Sequence, residues 1–144
     1  MYTFAFEKLN EVKDGKLTFY KIAIDGVCLY DNFCKEVDKD KILSKSMNKI
    51  RTYMNLLAEK DCLLPSAKFN SIKPKNKVIG YEFKSDIIRI YVVKKNSNVI
   101  VILGGYKKNQ KKDIEKFVKI TDNLENYYLT IRINHDTRGI ISNA

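Results

Sequence analysis

Leu43, Met47, Ile50, Met54 and Leu57 recur at steps of four, three, four and three, and past Leu64-Pro65 the apolar spacing drops to two. The first spacing lays one stripe along a helix of about five turns. The second sends successive side chains to opposite faces of a strand. Neither element can bury its apolar face alone, so a chain that carries both in succession is constrained to pack a long helix on a sheet. Pro65 marks the boundary, because proline cannot continue a helix.

The remaining pattern fills in around that pair. Tyr2–Leu9 and Lys16–Ile24 alternate and are split by Asp14-Gly15, which predicts a β-hairpin closed by Asp25-Gly26. A shorter helix is expected near Asn32–Val37, with Asp38 or Asp40 placed to cap the longer one. A short strand at Lys68–Lys73, a basic turn at Pro74–Lys77, and strands at Val78–Lys84, Ile87–Lys94 and Asn98–Leu103 read as an antiparallel meander, ended by Gly104-Gly105. A second amphipathic helix is expected from Lys111 to about Leu124, with Ile114, Phe117, Val118 and Thr121 inward. Tyr127–Ile133 would add a last strand, and residues 135–144 a loose tail. The expectation is one α+β domain over residues 1–144, with two layers. Helices pack on a twisted antiparallel sheet, and the hairpin of residues 2–25 is an N-terminal extension.

Charge narrows the partner. The net charge is +10, and residues 68–119 hold 14 Lys/Arg against 4 Asp/Glu, while the flanks cancel. A positive field confined to one third of the chain points to a polyanion, with nucleic acid ahead of a membrane surface. No segment approaches the roughly 18 consecutive apolar residues of a membrane span. Met1–Glu7 lacks the basic region and apolar run of a secretory signal. Cys28, Cys34 and Cys62 are odd in number and have no metal-ligand spacing, so reduced thiols in a cytoplasmic protein are expected.

The chain contains no Gly-rich phosphate loop and no cluster with metal spacing, so no cofactor and no metal are expected. His135 is the sole histidine, which excludes a pair of histidines as acid and base. What remains is cationic. Arg89 interrupts the apolar strand IIRIYVV on the face of Ile87, Tyr91 and Val93, either as a surface Arg whose stem covers apolar area or as a phosphate clamp. Tyr106-Lys107-Lys108-Asn109-Gln110-Lys111-Lys112 joins a strand to a helix start, where lysines oppose the helix dipole and anions are favoured.

Taken in order, Tyr81-Glu82-Phe83-Lys84, Arg89-Ile90-Tyr91, Val99 to Leu103, Gly105-Tyr106-Lys107-Lys108 and Lys111 to Lys116 resemble the RelE/ParE toxin superfamily, especially its phage-derived, HigB-like branch. The likeness covers roughly residues 40–122. It implies a RelE-like fold and a toxin of a toxin–antitoxin system: an mRNA interferase that cleaves RNA by 2′-hydroxyl attack, commonly on the ribosome, and is held by a cognate antitoxin. Under that reading Arg89, Lys84, Lys107, Lys108 and Tyr106 are the candidate catalytic residues. Tyr81, Tyr91, Lys111, Lys112, Lys73, Lys75 and Lys77 would bind RNA. The chain departs from the family in two places. Lys84 stands where the first signature strand carries Arg, which keeps the charge and loses the bidentate fork. The N-terminal hairpin is also longer than the family's usual start. A ParE-like gyrase inhibitor and a non-catalytic nucleic-acid-binding module are the alternative readings on the same fold.

Overall fold

A computed structural model describes residues 2–62, 64–65, 68–72, 79–130 and 140–142. The elements run β1 (Phe4–Lys8), β2 (Thr18–Ile24), α1 (Leu29–Val37), α2 (Lys41–Lys60), β3 (Phe69–Ile72), β4 (Ile79–Ser85), β5 (Ile88–Lys95), β6 (Asn98–Tyr106), α3 (Gln110–Thr130) and β7 (Ile140–Ser142). The α+β class is as the periodicity demands. The stripe on α2 is its buried face: Met47, Ile50 and Met54 are fully enclosed, and each such side chain contributes about 2 kcal/mol of burial. Asp40, rather than Asp38, caps α2, accepting hydrogen bonds from the backbone N–H groups of Ile42 and Leu43 at 2.8 and 3.0 Å.

The strands form one sheet in the order β3-β4-β5-β6-β2-β1-β7, and here the structure corrects the expectation of an antiparallel sheet. β2 runs parallel to β6, pairing Thr18 with Asn98 through Lys21 with Val101. The N-terminal hairpin is therefore part of the main sheet and not an appendage to it. The reason is visible along β2. Leu17 and Phe19 pack toward α1 and α2, whereas Ile22 and Ile24 pack toward α3. A strand apolar on both faces belongs inside a sheet. β5 is the same, with every residue from Ile88 to Val93 buried. Its Ile88, Ile90 and Val92 meet the α1–α2 side, and its Tyr91 and Val93 meet Phe117, Ile120 and Leu124 of α3. Helices thus cover both faces.

Three further expectations change. Tyr127–Thr130 is the last turn of α3 and not a strand, because the helical hydrogen-bond ladder continues past Leu124. Ile140–Ser142, expected in a loose tail, pairs with Ala5–Glu7 of β1. Gly104-Gly105 does not end β6, which continues to Tyr106. A register shift on β5–β6 sets Val92 opposite Val101 but Tyr91 opposite Leu103, leaving Ile102 as the extra residue of a bulge. The bulge reverses the faces that follow. Gly104 then faces α1, where a Cβ would lie 2.4 Å from the Phe33 ring. Gly105 faces α3, where a Cβ would lie 2.0 Å from Asp113 Oδ2. The two glycines permit close approach of helices on both sides of one strand.

Candidate nucleic-acid interface

Lys84, Arg89 and Gly105 are cross-strand neighbours on β4, β5 and β6, at the end of the sheet where α3 begins. A 3-10 turn, Lys107–Asn109, leads from β6 into α3. Its backbone is tied to the β4–β5 turn by Lys107 N–H donating to Ile87 O at 2.7 Å. Lys107, Lys108, Lys111 and Lys112 are exposed, and Lys84 is half-buried beside them. None of these five takes part in an ion pair among the described residues. Lys8, Lys21, Arg51 and Lys94, by contrast, are each paired with an acid. Other lysines without an ion pair among the described residues, such as Lys13, Lys41, Lys45 and Lys49, lie elsewhere in the fold, but these five gather around the start of α3.

The candidate catalytic residues do not converge there as one set. Lys84, Arg89 and Tyr91 point to the α3 side of the sheet. Tyr81 and Tyr106 pack on the α1–α2 side. Tyr106 donates its hydroxyl to Glu36 Oε2 at 2.6 Å, with its ring edge-on to Phe33. Partial burial and the Glu36 carboxylate push its pKa up to about 12, so it holds its proton in the physiological range. Tyr81 stacks on Phe69 with ring centroids 4.8 Å apart. Tyr91 is fully enclosed, so it presents no ring for a base to stack on. Lys73, Lys75 and Lys77, the basic turn and His135 lie outside the described residues.

Arg89 is the larger correction. It is only 7% exposed, so it is not presented at the surface as a clamp. Its Nη1 donates to the backbone oxygens of Asp86 and Ile88, both at 2.9 Å, and its Nε is buried without a partner. It belongs to a buried polar cluster that the sequence pattern did not reveal. Glu82, cross-strand from Tyr91, is 4% exposed. Both its oxygens accept from Gln110 Nε2, at 3.1 and 2.9 Å, and one also accepts from Asn70 Nδ2 at 3.3 Å. The Tyr91 hydroxyl and Asp113 Oδ2 are enclosed without partners. Burial raises the Tyr91 pKa far above the ordinary tyrosine range, and the Glu82 and Asp113 carboxylates push it further. Burial also raises that of Asp113, with Lys116 opposing. Each unpartnered atom costs about 1–3 kcal/mol, so the seat of α3 on this part of the sheet is strained. The one available signal was the period-two rule. It places Glu82 and Arg89 on the same face as Tyr91, within a run otherwise too apolar to meet water.

The chain matches no family model, no curated protein and no solved structure. No helix among the described residues is long and apolar enough to cross a membrane.

Proposed function

We propose that this chain binds RNA, holding its phosphate backbone on the lysine corner formed by Lys84, Lys107, Lys108, Lys111 and Lys112. The observation that carries this reading is the gathering of these five lysines around the 3-10 turn and the start of α3, with no acid paired to any of them among the described residues. A like-charged cluster at a helix start is unfavourable in the free protein and favourable once phosphates neutralise it. The more specific reading is a toxin that cleaves mRNA in the cytoplasm, on the ribosome, and is restrained by a cognate antitoxin. It rests on the family resemblance and on the order of a helix pair, an antiparallel meander and a closing helix. In that reaction Lys84 and Lys107 or Lys108 would stabilise the charge that develops on the phosphorane.

One experiment tests both levels. Binding of a labelled single-stranded RNA is titrated across salt for wild type and for the variant carrying Lys107→Ala, Lys108→Ala, Lys111→Ala and Lys112→Ala. Growth and transcript 5′ ends are followed on inducible expression of the same proteins. Each phosphate contact contributes about 0.7 to the slope of log K against log salt on a single strand. Loss of all four should lower the slope by about 3 and weaken binding by orders of magnitude. Equal binding by the two proteins refutes the interface. RNA binding without growth arrest or new 5′ ends leaves an RNA-binding module and removes the toxin reading.

A further inference from the structure

We infer that Arg89 is a concealed phosphate site, uncovered when RNA lifts the first turn of α3 off the sheet; this rests on the RNA-binding reading above. An arginine buried for structural reasons is ordinarily paired with a carboxylate. Arg89 is not: its guanidinium meets only the two backbone oxygens, and Nε has no partner. The neighbouring carboxylates do not fill it: Glu82 on the adjacent strand is already occupied by Gln110 and Asn70, and Asp113, against Gly105, makes no hydrogen bond through Oδ2. A guanidinium with an unfilled donor is suited to a phosphate oxygen.

Gly105, cross-strand from Arg89, faces Asp113 of α3, and the first turn of α3 over this part of the sheet is built to yield. Its tie to the sheet is polar, through Gln110 to Glu82, and Asp113 Oδ2 lies against Gly105 without a hydrogen bond. Full apolar seating of α3 starts only at Phe117 and continues through Ile120 and Leu124. The exposed turn Lys107–Asn109 precedes the tie. The first turn can therefore swing while the rest of the helix stays docked. Lys108, Lys111 and Lys112 sit on the moving part, Lys107 is the hinge held to the β4–β5 turn by its N–H on Ile87 O, and Lys84 stands beside Arg89 on the fixed sheet. A phosphate drawn to the lysines arrives at the seam between the two.

The test is the affinity of a labelled twelve-nucleotide oligouridine for wild type, Gln110→Ala, Arg89→Gln and the double variant, with amide hydrogen exchange of residues 110–114 followed in wild type. Gln110→Ala cuts the tie and should bind several-fold more tightly. The gain should vanish in the double variant, and RNA should speed exchange in the first turn. Unchanged affinity in Gln110→Ala, or a gain that survives in the double variant, overturns the concealed site while RNA binding stands. A wild type that binds no RNA defeats the functional reading and this one with it. Should Arg89→Gln fail to fold by circular dichroism, affinity of Gln110→Ala and exchange in wild type still decide. First-turn amides that RNA leaves equally or better protected refute the lifting.

Discussion

Tyr91→Phe should make this protein more stable. Tyr91 is at the centre of β5, 0% exposed, with its ring 6.0 Å from that of Phe117. Its hydroxyl is enclosed with no partner, beside the carboxylates of Glu82 and Asp113. Burying such a group costs about 1–3 kcal/mol. The substitution removes one oxygen and, with it, the dispersion attraction of that oxygen to its neighbours. That attraction is about 0.1–0.2 kcal/mol per atom pair and offsets part of the gain. A net stabilisation of about 1 kcal/mol is expected. That corresponds to a rise in Tm of about 3 °C for a chain of this size. Urea unfolding with an unchanged m-value isolates the effect on the folded state. A loss of 1 kcal/mol or more would mean that the hydroxyl is bonded after all, and that the cluster around Arg89 is satisfied and not strained. Tyr106→Phe is the control, because it deletes a bond to Glu36. It should cost about 1 kcal/mol. The sign with pH follows from its raised pKa. The folded state holds this proton more tightly than the unfolded chain does. The contribution is therefore fully present below pH 10 and is lost as pH rises toward about 12.

Asp40→Ala removes the side chain that caps α2 and should lower stability by about 1 kcal/mol without altering RNA affinity, as denaturant titration and binding would show together. Asp113 has its pKa raised by burial, so its ionised form weakens the fold: the penalty is absent below its unfolded pKa and grows as pH rises through its folded one. Asp113→Asn should therefore equal wild type in strong acid and exceed it in stability at neutral pH; parallel stability curves for the two would refute this.

Much of the architecture was legible in the local pattern. The stripe from Leu43 to Leu57, a cap at Asp38 or Asp40 and the antiparallel order of the strands from Phe69 to Leu103 follow from spacing and residue type, because one face or one turn decides each. Legibility failed where a residue's surroundings come from another part of the chain. Glycine at 104 and 105 read as a strand end, but the bulge at Ile102 keeps both inside β6 and assigns them to opposite helices. Tyr127–Thr130 alternates like a strand and is helix, because α3 continues along its axis through that segment.

The sequence by itself determined the class of fold, the long helix and its buried face, and the concentration of positive charge in residues 68–119. These are sums over neighbours along the chain. Only the tertiary structure decided that the N-terminal hairpin joins the sheet through a parallel pair, and that Arg89 is buried on the face of the sheet that carries α3 while Tyr81 and Tyr106 face the other way. Strand order and burial depend on which distant segments meet. A period of two fixes the face a side chain takes on its strand, and the packing of helices on each face fixes whether that side chain reaches water.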